Sequence, residues 1–186
     1  MCGSRDMRWA KEHTMGFMEL ASERYSVRKY LDRPVEQEKV DLILEAARLA
    51  PTAVNYQPFK AYALQSDGAR ATAASVCRCT FGAPVVFLVC SDERQTWKSQ
   101  TEPGYSTGEM DASIVCAHMM LEAWELGLGS CWVRLFSVAA VQQAFGLPDY
   151  MVPRCMLPVG YAHPDGGPYR PWHDIYKPVD ELAEAL

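Results

Sequence analysis

Positions 24–28 place two guanidinium groups and a hydroxyl within five residues, Arg24-Tyr-Ser-Val-Arg28. In an extended chain, side chains alternate between two faces, so Arg24, Ser26 and Arg28 would share one face. Guanidinium groups bind phosphate oxygens through charge-assisted, bidentate hydrogen bonds, and this face therefore suits a phosphate. In a helix the two arginines would instead be solvated neighbours one turn apart. Taken by itself, the segment favours that simpler interpretation.

A second polar segment, at positions 50–58, follows directly after a predicted helix end. It places Thr52, Asn55 and Gln57 between two prolines that restrict the backbone. Amide side chains both donate and accept hydrogen bonds, as the edge of a heterocycle such as a flavin pyrimidine ring requires. An ordinary polar turn could have the same composition, but the density of amides so close to the apolar Val54, Tyr56 and Phe59 favours a binding site.

A glycine-rich segment, Gly127-Leu-Gly-Ser-Cys-Trp132, superficially looks like a dinucleotide-binding motif. Trp132 stands where that motif needs its third glycine, and the segment leads from a helix into a strand, the reverse of the Rossmann order. The motif is therefore absent. What the sequence predicts is a tight turn followed by a strand at 131–135, whose backbone could lie against a planar ligand.

Hydrophobic periodicity predicts the elements that would position these segments. A short helix at 17–23 leads into the arginine segment. An amphipathic helix around 40–47 ends before Pro51, because a residue that precedes proline avoids the helical conformation. The apolar runs at 85–90 and 155–161 are predicted to be core strands.

The longest predicted helix has Asp111 as its N-cap and is ended by Gly127. Its apolar residues cover nearly the whole circumference, so that it should be buried on nearly all sides. A domain of this size can hardly cover it alone, and part of its surface is expected to meet a second subunit. A proline- and glycine-rich linker at 163–171 then precedes a terminal amphipathic turn that includes Val179 and Leu186.

The composition bounds the class of protein. With 186 residues, 49% hydrophobic and 22% charged, the chain suits one globular domain, assigned to 15–186 after a flexible leader at 1–14. A net charge of −5 gives no electrostatic support for binding nucleic acid, and no apolar run is long enough to span a membrane. Seven cysteines, mostly in apolar runs, indicate free thiols in a reducing, cytoplasmic compartment. No metal is assigned, because neither cysteines nor histidines show a metal-ligand spacing.

Five segments in order resemble the nitroreductase family. They read E-R-Y-S-V-R-K-Y at 23–30, L-A-P-T-A-V-N-Y-Q-P at 49–58, G-E-M-D-A-S-I-V-C-A-H-M-M-L-E-A at 108–123, L-G-L-G-S-C-W-V at 126–133 and L-P-V-G-Y at 157–161. The resemblance covers nearly everything from about residue 15 to 161. It implies an α+β fold with a central, mostly antiparallel sheet flanked by helices. Two such chains would interlock as a homodimer and bind one FMN at each end of their interface.

The resemblance also implies, position by position, how this chain would hold FMN. Arg24, Ser26 and Arg28 would hold the phosphate and the ribityl chain, with a backbone contribution from Tyr25. The isoalloxazine ring would lie near two amides and along the strand after the glycine turn, with a backbone N–H near flavin N5. These neighbours are Asn55, Gln57, Trp132, Val133 and Arg134. The flavin bound mainly by the other chain would be reached by Pro51, Thr52 and Ala53.

Two positions depart from the family's pattern. Tyr176 stands where an arginine usually precedes the final basic-Pro element, so either Lys177 or Arg170 replaces that arginine, or FMN binds more weakly. Arg134 stands where related short members often have glycine. Its side chain could intrude on the flavin edge, attract an anionic acceptor or simply point to solvent.

The implied reaction is ping-pong. NADH or NADPH reduces the flavin and leaves, and a nitro-aromatic compound, a quinone or a similar small acceptor then takes the electrons. Because the cofactor carries the chemistry, no catalytic side chain is predicted. Two alternatives stay open. The chain could be a specialised member, such as a reductive dehalogenase, an enone reductase or an oxygen-dependent flavin enzyme, or it could be an FMN-binding protein without turnover.

Overall fold

A four-stranded sheet forms the centre of the computed structural model, which describes residues 16–185. All strand pairings are antiparallel, which together with the flanking helices confirms the α+β fold with a central antiparallel sheet. The order across the sheet is β1-β2-β4-β3, so β1 and β3 are the two edges. The strands are β1 (Phe59–Leu64), β2 (Val85–Asp92), β3 (Gly129–Ser130) and β4 (Met151–Gly160).

Seven helices lie within the described range. The predicted helix at 17–23 is confirmed, and the second helix ends before Pro51 as expected. The linker predicted at 163–171 is wrong at its end, because a short helix begins at Arg170. Leu186 and the predicted leader at 1–14 lie outside the described residues. The helices are α1 (Phe17–Glu23), α2 (Gln37–Leu49), α3 (Asp67–Val76), α4 (Gly108–Glu125), α5 (Val138–Phe145), α6 (Arg170–His173) and α7 (Val179–Leu182). Within residues 16–185 no helix is both long and apolar enough to cross a membrane.

Strand β2 lies at the middle of the core, with every residue buried. Alternate side chains enter two hydrophobic clusters: Phe87 packs with residues of α2 and α4, whereas Leu88 packs with residues of α3 and α5. A strand covered on both faces needs apolar residues at consecutive positions, which explains the continuous run in its sequence. The predicted strand at 85–90 is confirmed, and it extends to Asp92.

The start of α4 differs from the prediction. The helix begins at Gly108, and Asp111 lies inside its first turn. The buried Asp111 carboxylate accepts hydrogen bonds from the backbone N–H of Ala53, at 2.9 Å, and from the Thr107 hydroxyl, at 2.7 Å. Asp111 thus forms hydrogen bonds both to the distant turn at 50–58 and to Thr107 at the start of its own helix. Gly127 has a φ of +73° and follows the helix end as predicted.

The strand predicted at 131–135 is also wrong. Only Gly129 and Ser130 form a ladder with β4, and the chain returns to that strand at a single bridge, between Val133 and Met156. The N–H of Cys131 donates to the carbonyl of Pro158 at 3.2 Å, but proline has no N–H to donate in return. The ladder is therefore interrupted at Pro158.

Gly129 is required by the close approach of the arginine segment to β3. A Cβ atom at Gly129 would lie 2.4 Å from Cγ2 of Val27, a residue with no exposed surface. Adding that atom must displace either Val27 or the strand, because neither neighbour is a flexible chain end.

We expect Gly129→Ala to lower the free energy of unfolding by about 1–3 kcal/mol, measured by urea denaturation followed by circular dichroism. Gly68→Ala in α3 is the matched control, because a Cβ there meets nothing within 4 Å. That control should not lose stability. Equal stabilities for the two variants would show that β3 and Val27 are not in close contact.

Candidate functional site

The arginine segment is extended and lies alongside β3. Helix α1 ends at Glu23, and Arg24 adopts an extended conformation with φ −60° and ψ 130°. Ser26 forms a parallel bridge with Ser130, and the N–H of Val27 donates to the carbonyl of Ser130 at 2.9 Å. The alternative of two arginines on one helix face is therefore wrong. Val27 points into the core, while Arg24, Tyr25, Ser26 and Arg28 line one cavity.

Tyr30 fixes this segment to the sheet, a role that the sequence did not reveal. Its hydroxyl proton is shared between the carbonyls of Val27, at 2.9 Å, and Pro158, at 3.1 Å. Burial is the main cause that raises the pKa of Tyr30 far above its ordinary value, so the hydroxyl stays a donor. The carbonyl of Pro158 thus accepts two hydrogen bonds, one from the N–H of Cys131 and one from the Tyr30 hydroxyl.

The two guanidinium groups have no carboxylate partner among residues 16–185. The Arg28 guanidinium donates to the carbonyl of Ser26 at 3.2 Å, and the Arg24 side chain forms no hydrogen bond to another residue of the described range. The Cys131 thiol lies beside them: burial raises its pKa, whereas Arg28 and the Ser26 side chain act in the opposite direction. The Ser130 hydroxyl is buried without a hydrogen-bond partner in the described region. The cavity thus offers two guanidinium groups without carboxylate partners in the described range, as an anionic ligand requires.

The C-terminal segment closes the other side of this cavity, whose volume is about 160 Å³. Tyr176, at the position of the missing arginine, is one of the lining residues. Neither predicted substitute is among them. Lys177 forms an ion pair with Glu181 at 3.8 Å, and Arg170 one with Asp174 at 2.9 Å. The other residues that line this side are Tyr169, Trp172 and His173.

The segment at 50–58 is a turn with an unusual backbone. Val54, Asn55 and Gln57 all have positive φ, at 47°, 56° and 51°. This region of backbone conformation is costly for most residues, above all for the β-branched Val54, and it persists only where the surroundings impose it. The Thr52 hydroxyl accepts from the N–H of Gln57 at 2.9 Å, and Asp111 holds the N–H of Ala53. The turn presents the Asn55 and Gln57 side chains, as well as Pro51, to solvent.

The turn at 50–58 and the arginine segment lie far apart within one chain. The turn leads into β1, at one edge of the sheet. The arginine segment lies alongside β3, at the opposite edge, and β3 is three inter-strand steps or roughly 14 Å from β1. They also lie at opposite ends of the strands. Phe59 aligns through Ser91 with Val152, and Ser130 pairs with Val159, which places them seven residues, or roughly 23 Å, apart along β4.

The segment after β3 alternates between outside and inside. Trp132 and Arg134 are exposed, while Val133 is buried and exchanges two hydrogen bonds with Met156, each 2.9 Å long. The Arg134 guanidinium lies 5.0 Å from the centre of the Phe136 ring and 3.4 Å from the Phe136 carbonyl. Trp132 and Arg134 therefore project on the same outward face, as expected for positions two apart in an extended chain.

Comparison with known proteins places the chain among flavin-associated reductases. The family model described as "Nitroreductase family" matches residues 21–81 and 77–161. A protein of Methanothermobacter thermautotrophicus, named as an inferred NADH dehydrogenase/NAD(P)H nitroreductase, is 30% identical over 160 residues, which are 81% of this chain and 80% of that protein. An FMN reductase [NAD(P)H] of Bacillus subtilis is 28% identical over 155 residues, 73% of this chain and 61% of its own length.

Solved structures with a similar fold agree with this family assignment. A nitroreductase family protein from Clostridium difficile 630 has a TM-score of 0.84 at 37% identity, covering 91% of this chain and 98% of its own. A protein from Exiguobacterium sibiricum 255-15, solved in complex with FMN, has a TM-score of 0.78 and covers 94% and 99% of the two chains. Its identity of 21% makes it evidence for the fold alone.

We expect Asp111→Ala to release the turn at 50–58, because the N–H of Ala53 loses its acceptor. The loss of a buried charged acceptor should cost about 1–3 kcal/mol of unfolding free energy. Hydrogen exchange followed by mass spectrometry should show faster exchange in peptides that contain Ala53. Asp32→Ala, at an exposed carboxylate, is the control and should leave both measurements unchanged. Unaltered exchange in Asp111→Ala would mean that the turn does not depend on this contact.

Proposed function

Because the chain belongs to the nitroreductase family, we propose that it is an NAD(P)H-dependent flavin oxidoreductase that binds FMN and reduces a nitro-aromatic compound, a quinone or a similar small acceptor. The proposal includes a homodimer in which each FMN is held by both chains. The names of the relatives support FMN and NAD(P)H, and the geometry of this chain supports the position of the cofactor.

One observation carries the proposal: the cavity at Arg24, Ser26 and Arg28 fits a phosphate. Two guanidinium groups without carboxylate partners in the described range line it beside a serine hydroxyl. A bound phosphate would neutralise the charges of Arg24 and Arg28 and offer acceptors to their N–H groups and to the Ser26 hydroxyl. The residues present therefore fit the phosphate end of FMN.

The dimer follows from the distance between the two candidate segments. To touch the turn at 50–58 of the same chain, a cofactor anchored at Ser26 would have to reach roughly 14 Å across the sheet and roughly 23 Å along its strands. A second copy can bring its own turn to that cofactor. Pro51, Thr52 and Ala53 would then reach the flavin of the partner, with Asn55 and Gln57 near the isoalloxazine ring.

An apolar groove on α1, α2 and α4 supplies a surface for the second copy. Its volume is about 370 Å³, and leucines of all three helices line it. Leu49 has 65% of its surface exposed, which leaves apolar area to be covered. Glu122 projects into the same groove; burial raises the pKa of its carboxyl group, and one of its oxygens has no partner within residues 16–185. The leucines are Leu20, Leu42, Leu49 and Leu121.

The segment 132–134 would lie beside the flavin ring. The N–H of Val133 is already used by Met156, so the backbone N–H near flavin N5 belongs to Trp132 or to Arg134. Their exposed side chains flank the same face, where Arg134 can attract an acceptor that carries negative charge. When bound, FMN supplies the redox chemistry, accepting hydride from the nicotinamide and passing electrons to the acceptor. The protein positions the ring and holds the phosphate.

Anaerobic stopped-flow mixing tests the activity. We expect the flavin absorbance of the FMN-loaded protein to bleach with NADH or NADPH and to return when a nitro-aromatic compound or a quinone is added. Sedimentation of the same sample should give the mass of a dimer. A flavin that stays oxidised with both nicotinamides would favour the alternative of an FMN-binding protein without turnover. Bleaching without recovery on either acceptor would point to a specialised member of the family.

Arg24→Ala tests the phosphate position. Loss of one charge-assisted contact should raise the Kd for FMN by about 10- to 100-fold, measured by flavin fluorescence titration. Arg33→Ala is the control, because Arg33 pairs with Glu36 at 2.9 Å and stacks on Tyr161, away from the cavity. Equal affinities in both variants would remove Arg24 from the site.

A further inference from the structure

The cavity lined by Arg24, Ser26 and Arg28 lacks the C-terminal arginine that the family resemblance predicts. Other side chains of the C-terminal segment line the cavity at that side. The segment from Tyr169 to Tyr176 closes the cavity with three aromatic residues and one histidine. Arg170 in this segment and Lys177 directly after it both form ion pairs, Arg170 with Asp174 and Lys177 with Glu181. The remaining hydrogen-bond donors on this side are the side chains of Tyr169, Trp172, His173 and Tyr176.

Contacts of aromatic rings hold this segment against the arginine segment at 24–28. Trp172 lies under the Arg28 guanidinium, with 5.8 Å between the guanidinium carbon and the ring centre. His173 meets Tyr25 edge to face at 6.0 Å, and Tyr25 in turn meets Trp124 of α4 at 5.2 Å. The imidazole is therefore attached through Tyr25 to the helix that crosses the core.

His173 differs from the other donors in its burial. His173 is partly buried, with 21% of its side chain exposed, whereas Trp172 and Tyr176 are both exposed residues. The only charged neighbour within ion-pair distance of the imidazole, among residues 16–185, is Asp174, whose carboxylate lies 4.0 Å from Nε2. That distance is too long for a hydrogen bond, so the ring nitrogens can serve a ligand in the cavity.

We propose that His173 is the third phosphate-binding residue and takes the place of the missing arginine. This inference rests on the proposed function, because the phosphate is that of FMN. An imidazole N–H donates to a phosphate oxygen whether the ring is neutral or protonated. Arg24 and Arg28 bind from the opposite wall of the same cavity, so that the phosphate is enclosed by donors of two distant segments. Lys177, one of the two substitutes suggested by the sequence, pairs with Glu181 and does not line the cavity.

Two substitutions distinguish a hydrogen-bonding role of His173 from a packing role. His173→Phe keeps an aromatic ring against Tyr25 but removes the N–H, whereas His173→Gln removes the ring and keeps an N–H donor. Each variant is titrated with FMN and with riboflavin, which lacks the phosphate, and flavin fluorescence gives the two dissociation constants. We expect His173→Phe to weaken FMN binding by about 10-fold or more and to leave riboflavin binding unchanged. His173→Gln should recover part of the FMN affinity, and the control Lys177→Ala should bind FMN like the parent protein. Tyr176→Phe tests the rival donor that lines the same cavity.

Other outcomes would overturn the proposal. If His173→Phe weakens FMN and riboflavin equally, the ring has only a packing role. If Lys177→Ala or Tyr176→Phe gives the selective loss of FMN instead, that residue is the third ligand and His173 is not. Arg24→Ala, measured in parallel, distinguishes these results from failure of the proposed function. Selective loss of FMN in that variant, with normal binding in His173→Phe, would refute the role of His173 alone, whereas unchanged binding in both would refute the phosphate site itself.

Discussion

The close contact between residues 26–30 and the β3–β4 end of the sheet is the constraint on which the candidate site depends. Val27 fills the space that Gly129 leaves open, its N–H bonds to Ser130, and the buried Tyr30 hydroxyl bonds to Pro158. With one side chain locked in the core, the neighbours on either side must face outward. The two arginines are thereby held near each other without carboxylates from the described part of the chain, at an electrostatic cost that a bound anion would offset.

A second constraint acts at the other edge of the sheet. The turn at 50–58 carries three non-glycine residues with positive φ, and such a backbone persists only when its surroundings hold it. Asp111 supplies that hold from the first turn of α4, the helix that also forms one wall of the core and contributes to the apolar groove. The turn at 50–58 is thus connected, through the Asp111 hydrogen bond, to the helix that lines both the core and the groove. Under the proposed dimer, contact between copies at the groove and contact of the turn with the partner's cofactor would reinforce each other.

The sequence by itself determined the classes of element and the chemistry of the segments. A continuous apolar run required a strand buried on both faces, and Pro51 required the end of α2, because both rules act between neighbouring residues. The family resemblance fixed the α+β fold and pointed to Arg24, Ser26 and Arg28. Predictions from local sequence patterns were wrong where a residue far along the chain forms the deciding contact. Asp111 bonds a turn 58 positions away instead of acting only as a cap, and Pro158 interrupts the strand expected at 131–135.

Only the tertiary structure decided which segments meet. Strand order set the arginine segment and the amide turn on opposite edges, and no periodicity in the sequence encodes that order. It also brought His173 against Tyr25, residues separated by nearly the whole domain, and left Lys177 paired with Glu181. The physical reason is the same in both cases. Secondary structure follows from interactions within a few residues, whereas a ligand site is assembled by packing between elements that the chain connects only through the core.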